Sequence, residues 1–269
     1  MRNFKNNIFS MVLFFILILV TIYQFIDNNR INIVEEEVVI ENLPSEFEGF
    51  KILQISDLHG KEFGKSQSML TKKINSIDYD IIAITGDMKD VHSDNIDPFL
   101  TMLKNIQNKD NIFYVSGNTD LESYEQEIKE NGCKILKDTY KLKRNDEFIE
   151  IAKFNPTNIY NRDNVRVALS HYPMTLDDYN KEEYDLIISG HYHGGQIRIP
   201  FYGALFIPHV NKGKLFPPQD EVSGLKDYKL FKQYTSRGLG ANFPLKILQF
   251  RLFNTPEINI IKLISSKTD

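Results

Sequence analysis

From Phe50 onward the chain alternates short apolar runs with longer amphipathic ones. The runs "FKILQIS", "YDIIAIT", "NIFYVS", "VRVALS" and "YDLIIS" span residues 50–56, 79–85, 111–116, 165–170 and 184–189. They are β-branched or aromatic-rich and too short for core helices, so they predict strands buried on both faces. Between them, "KSQSMLTKKINSI" (65–77) has apolar residues at helical spacing, and "DNIDPFLTMLKNIQN" (94–108) begins with polar cap residues. "DLESYEQEIKENG" (120–132) opens on Asp120, a candidate cap, and closes on Gly132, a residue suited to follow a helix end. Strands alternating with helices predict an α/β sheet. Ahead of them "IVEEEVVIE" (33–41) predicts an edge strand after a linker. The tail, from "KQYTSRG" through "PEINIIKLI", reads as strands without helices, which predicts a second sheet or a mixed one.

The N-terminal pattern is different. Residues 8–26, "IFSMVLFFILILVTIYQFI", carry no charge and show no polar face. A helix of about 20 apolar residues spans a bilayer. No small-x-small cleavage pattern follows, so the segment reads as a retained anchor rather than a cleaved signal or a buried core helix. Arg2 and Lys5 precede it, which keeps that end cytoplasmic and places the rest of the chain on the extracellular side of the cell membrane, although Arg30 flanks the other end. The expected division is 1–30 for the anchor and its flanks, 31–49 for the linker and edge strand, and 50–269 for one folded domain. At 269 residues and 42% hydrophobic, the chain is long enough for one large core.

Charge and cysteine content narrow the chemistry. A net charge of -4 gives no general affinity for nucleic acid, and the basic stretch "KLKRND" (141–146) reads as a solvated turn. Cys133 is the sole cysteine, which excludes an internal disulfide and a cysteine-based zinc site. The polar residues that repeat are elsewhere, at the C-terminal ends of the predicted strands, the edge at which open α/β sheets bind ligands. In chain order they are Asp57 and His59, Asp87, Asn118, His171, then His191 and His193. Each offers nitrogen or oxygen to a metal. A carboxylate between two cations offsets their repulsion, imidazoles complete the shells without excess negative charge, and Asn118 adds a neutral oxygen. Such a set suits Mn, Fe or Zn and not copper(I) or an iron–sulfur cluster. Two ions so held lower the pKa of bound water and clamp both oxygens of an in-line displacement. Asp-x-His, Gly-Asp or Ser-His-Tyr-Pro alone would more often be a surface pair, a turn or a satisfied loop histidine. All of them in order, each after a strand-like run, point to a metal centre.

The motifs "SDLHG", "TGDMKD", "SGNTD", "LSHYP" and "SGHYHGGQ" resemble those of the calcineurin-like metallophosphoesterases. "LPSEFEGFKILQISDLHG", "GHYHGGQIRIP", "SRGLG" and "PEINIIKL" are similar to its bacterial membrane-anchored branch. The resemblance covers residues 43 to about 262 and implies a four-layer α/β/β/α sandwich of two mixed sheets. It implies a first metal held by Asp57, His59, Asp87 and His193, a second held by Asp87, Asn118, His171 and His191, and Asp87 as the bridge. The implied reaction is hydrolysis of a phosphate mono- or diester by a metal-bridging hydroxide.

In one respect the sequence departs from the family. Thr119 stands where the family's catalytic histidine would be, and threonine is no proton donor near neutral pH. General acid help is worth about two to four powers of ten, so good leaving groups suffer least; Asp120, His92 and His209 are the remaining candidates for a substitute. The interval from Asn118 to His171 is short for the family, which implies reduced substrate-side loops. A metal-containing binding or regulatory module with weak or no catalysis is the alternative reading. A phosphoprotein phosphatase is disfavoured, since no Asp-Arg-Gly follows "GDMKD". The expected substrate is a phosphoester, among them lipid-linked and cell-wall ones. Residues 198–221, rich in Phe and Pro, read as a covering loop or, through Lys212 and Lys214, as a rim for lipid or phosphate. Arg237 reads as a phosphate contact or as the partner of an acid.

Overall fold

The computed structural model describes residues 2–157, 163–179, 181–207, 214–242 and 249–266, with the side chains of the first helix described from Ile8 onward. The twelve main strands are β1 (Asn32–Ile40), β2 (Lys51–Ile55), β3 (Ile81–Ile84), β4 (Ile112–Tyr114), β5 (Cys133–Ile135), β6 (Thr139–Arg144), β7 (Glu147–Lys153), β8 (Arg166–Leu169), β9 (Leu186–Ser189), β10 (Gly224–Asp227), β11 (Lys232–Thr235) and β12 (Glu257–Ser265). They form two mixed six-stranded sheets, ordered β1-β12-β2-β3-β4-β5 and β10-β11-β9-β8-β7-β6. Neighbours β2, β3 and β4 are parallel, as are β8 and β9.

Burial explains why these runs are strands. Every residue of β3, β4, β8 and β9 is buried, and successive side chains of a strand serve opposite faces. Ile52, Phe113, Val167, Ile188 and Ile261 fill the space between the sheets. Leu53 and Ile55, one step out of phase, pack with Leu70, Phe99 and Leu103 beneath helices α2 (Ser68–Asn75) and α3 (Asp97–Asn105). Emptying one inter-sheet position, such as Phe113→Ala, costs about 3–5 kcal/mol. Over the second sheet, Ala168 and Ile187 meet Tyr179, Tyr184 and Phe231, and among the described residues that cover consists of turns.

The expected edge strand is the edge of the first sheet, in register with β12 from Asn32↔Glu257 to Ile40↔Ser265. It is therefore continuous with the domain rather than a linker to it. The stretch "KLKRND" is not simply a turn. Lys141–Arg144 belong to β6, the hairpin turns at Asn145 (φ 50°), and the Arg144 guanidinium lies 4.7 Å over the Phe50 ring while pairing with Asp80. Residues 198–207 and 214–215 form two small hairpins, Arg198–Ile199 with Gly203–Ala204 and Phe206–Ile207 with Lys214–Leu215. His209, Lys212 and the side chain of Lys214 lie outside the described residues.

Ahead of the sheets runs α1 (Arg2–Asn28), whose large apolar side chains from Ile8 to Ile26 are mostly exposed. Among the described helices it alone is long and apolar enough to cross a membrane.

Candidate metal centre

Parallel strands of each sheet end at one edge, and their following loops meet where the sheets face each other. Strand β2 delivers Asp57 and His59, β3 Asp87, β4 Asn118, β8 His171, and β9 His191 and His193. Gln54 knits the floor of this edge: its Nε2 donates to Thr85 Oγ1 (2.9 Å) and, across the sheets, to the Ser189 carbonyl (2.7 Å). Both oxygens of Asp57 accept the backbone N–H of His191 at 3.1 Å, so a loop of the first sheet grips a loop of the second.

The backbone is bent to achieve this. Asp57, His59, Asp87, His191 and His193 have φ of 54°, 47°, 55°, 71° and 50°. Such left-handed conformations cost on the order of 1–3 kcal/mol each, and Asp and His tolerate them better than most residues. Two glycines make room for the carboxylates. A Cβ on Gly117 would stand 2.2 Å from Asp87 Oδ1, and one on Gly190 would stand 2.0 Å from Ser56 Oγ and 2.4 Å from Asp57 Oδ2.

All seven side chains come together. Asp87 Oδ2 lies 3.5 Å from His59 Nε2 and 3.4 Å from His171 Nε2, at the junction of two groups. In one group Asp57, His59 and His193 offer ligand atoms within 4.8 Å of one another, and in the other Asp87, His171 and His191 do the same. Asn118 joins the second, its Oδ1 2.9 Å from His171 Nε2.

The donor set fits a cation. His171 Nδ1 is 2.9 Å from the Thr85 carbonyl oxygen, an acceptor only, so Nδ1 carries a hydrogen. Its Nε2 then faces His191 Nδ1 at 3.1 Å, Asn118 Oδ1 and the Asp87 carboxylate, and the last two are acceptors only. In the first group, His59 Nε2 and His193 Nε2 face each other at 3.3 Å. In the second group, buried acceptors aimed at one another are costly unless something positive sits among them.

Without metal, a proton takes that role in the second group. Burial disfavours the His171 imidazolium, but the hydrogen bond and charge of Asp87 outweigh it and raise its pKa to about 9. Burial would likewise push the Asp87 carboxyl up, yet His171, then His59 and the Thr119 N–H, hold it well below the usual range. Burial raises the Asp57 carboxyl, with the charge of Asp87 adding to the rise. His193 is driven well below the usual imidazole range by burial, then by the charges of His59 and Arg251.

Thr119 is a support of the carboxylate. Its N–H and hydroxyl both donate to Asp87 Oδ1, at 2.8 and 2.9 Å, which leaves Oδ2 for the two histidines. Asp120 does not cap the following helix. Its carboxylate accepts the N–H groups of Asp87, Met88, Lys89 and Gly117 at 2.7–3.1 Å. Helix α4 (Glu125–Glu130) consequently starts later than its sequence pattern suggests, after a short turn at Glu122–Tyr124. His92 lies on an exposed turn. Arg237 pairs with Glu257 at 3.6 Å. Sequence reasoning missed Arg251, which is wholly buried and donates to the carbonyls of Asn254 (2.7 Å), Gly240 (2.7 Å) and His193 (3.3 Å). Asn254 also donates to the His193 carbonyl, at 2.7 Å. Both residues follow the last histidine motif by some sixty positions, so no local pattern marks them.

The sequence model of the family described as calcineurin-like phosphoesterase matches residues 50–195, a stretch that contains all seven side chains. The chain is 26% identical to the uncharacterized metallophosphoesterase YkuE of Bacillus subtilis, over 90% of this chain and 89% of that protein. It is 30% identical to the uncharacterized metallophosphoesterase YkoQ of the same organism, over 70% and 76%. It is 33% identical to the phosphodiesterase YaeI of Escherichia coli over a shorter region, 37% of this chain and 32% of that protein.

Proposed function

The chain belongs to the calcineurin-like phosphoesterase family, and on that premise we propose that it hydrolyses a phosphate ester at a centre of two divalent ions bridged by Asp87. The observation that carries this reading is the convergence of His59 Nε2 and His171 Nε2 on the single oxygen Asp87 Oδ2, at 3.5 and 3.4 Å. Asp57, His59 and His193 would hold one ion, Asn118, His171 and His191 the other. The ions would supply an acidified water as nucleophile and positive charge for the transition state. The chain's own residues do the positioning. Thr119 locks Asp87 Oδ1, Thr85 orients His171, and Arg251 with Asn254 hold the backbone of His193.

Manganese-loaded full-length protein in detergent is expected to hydrolyse bis(4-nitrophenyl) phosphate, and Asp87→Asn to abolish both the turnover and the bound metal. Retention of full turnover by that variant would overturn the reading. The second reading, a metal-containing module with weak catalysis, draws support from Thr119, whose hydroxyl is spent on Asp87. It predicts bound metal without turnover, and turnover gained by Thr119→His.

We also propose that α1 anchors the protein as a single span with the catalytic domain on the extracellular side, from the uncharged run and its basic flank. Protease added to intact cells should then digest the domain; protection of the domain there, and digestion only after lysis, would reverse the orientation.

A further inference from the structure

Helix α1 is not hung on a loose tether. Its last residue, Asn28, makes two hydrogen bonds to the backbone of Arg251, at 2.7 and 2.8 Å. Gln24 Oε1 accepts the Phe253 N–H (3.1 Å), and Asp27 Oδ1 accepts the Thr255 hydroxyl (2.7 Å). The same Arg251 holds the carbonyl of His193 through its guanidinium, so the apolar helix stands in register with the metal centre.

Between helix and centre lies a cavity of about 730 Å³, within the size range of ligand sites. Its polar end is lined by His59 and Lys61, and its apolar walls by Val20 and Phe25 of the helix with Phe250 and Leu252 opposite. His59 Nδ1 is buried and has no hydrogen-bond partner among the described residues. At about 1.5 Å of rise per residue, Val20 and Phe25 fall in the last two turns of the span, where hydrocarbon gives way to headgroups. Exposed Tyr23, Phe25, Phe250 and Phe253 cluster at this level, as aromatic residues do at membrane boundaries. On the far side of the centre a second cavity, of about 790 Å³, is lined by Asn118, His171 and His191 with Lys153 and Tyr172.

We propose that the substrate is an amphipathic, membrane-embedded phosphoester, bound with its phosphorus at the centre, its apolar tail in the cavity beneath α1 and its water-soluble part in the second cavity. A soluble phosphoester would have no use for a wall built from the membrane span itself. This rests on the phosphoesterase reading and deepens it. In the reaction the oxygen of water bonds to phosphorus and the bond from phosphorus to the leaving oxygen breaks; one proton of the water passes to the leaving oxygen, and the other stays on the new phosphate hydroxyl or is lost from it to solvent.

The test compares hexadecyl 4-nitrophenyl phosphate with methyl 4-nitrophenyl phosphate, using manganese-loaded full-length protein in detergent micelles. The expected ratio of kcat/KM, hexadecyl over methyl, is at least tenfold. It should collapse toward one in Thr21→Trp, which fills the cavity from the helix, and persist in Phe15→Trp elsewhere on the span. Hydrolysis of both esters with no preference, or a preference equal in the two variants, overturns the inference and leaves the phosphoesterase reading standing. Hydrolysis of neither ester overturns both. A second measurement covers a Thr21→Trp chain that fails to fold. The protein has no tryptophan, so Phe250→Trp places a sole tryptophan on the cavity wall, which can be excited apart from the tyrosines. A bromine-tailed alkyl phosphate should quench it at least twice as strongly as it quenches Phe15→Trp, and equal quenching overturns the inference.

Discussion

Each half of the centre sets two histidines beside Asp87, and the two halves hold them by different means. In the His171 half, the imidazole is fixed from behind by the Thr85 carbonyl and faces Asn118 and His191. In the His59 half, the ring is stacked on His193 (centroids 4.8 Å apart, planes 22° apart), and it is the backbone of His193 that Arg251 and Asn254 secure. One half is positioned by hydrogen-bonding the ligand ring, the other by packing rings and anchoring main chain. Their charge states differ accordingly. Metal-free, the first holds a proton on His171, whose pKa stands at about 9, whereas burial keeps His193 neutral. On the proposed reading, a metal ion would have to displace a proton on one side of Asp87 and not from His193 on the other.

Removing what the halves share should have the largest effect. Asp87→Asn is expected to release both ions and to abolish turnover, the loss of several kcal/mol of charge stabilisation amounting to at least about a thousandfold, read by elemental analysis beside the nitrophenyl phosphate assay. Single replacements come next. His171→Ala and His59→Ala should each lower the metal content from two ions per chain to one, and equal retention of two ions in both would erase the distinction between the halves. Arg251→Met removes only the anchoring on the His193 side. Supporting residues of this kind are worth about 10–100-fold in metal affinity, so the loss should appear at one of two sites in a calorimetric titration and spare the other.

The charge difference has its own signature. Since His171 titrates at about 9, it is protonated in metal-free protein at pH 7, and binding at that half should release about one proton per ion. As the pH falls below 9 the affinity of that half should fall with it, while His193 imposes no such penalty. Titrations at pH 7 in two buffers of unlike ionisation enthalpy will count the protons, and equal release from both halves would contradict the assignment. The smallest effect is expected from Thr119→Val, which keeps the shape of the side chain and removes its hydroxyl bond to Asp87. A net hydrogen bond of about 1 kcal/mol corresponds to a severalfold loss of affinity, shared by both halves because the carboxylate is shared.

The strand runs and the seven polar residues after them were legible in the sequence, because a strand buried on both faces must be apolar throughout, and a loop at its end can then present only a few polar side chains. The long apolar helix was legible for a similar reason, since an unbroken run of uncharged apolar residues is itself a local property. Other features lacked any local mark. Asp120 looks like a helix cap from its neighbours, yet it binds four backbone N–H groups brought to it by two different loops. Arg251 and Asn254 act on His193 from far along the chain, and "KLKRND" is mostly strand because β7 is there to pair with it.

By itself, then, the sequence determined which elements form and which ligand types stand at their ends, since periodicity and residue chemistry are local properties. Only the tertiary structure decided that Asp87 Oδ2 lies between two histidines, that Thr119 braces its other oxygen, and that a cavity joins the apolar helix to His59. Those facts depend on how two sheets and a helix pack, and packing distances are set by contacts between residues remote in sequence.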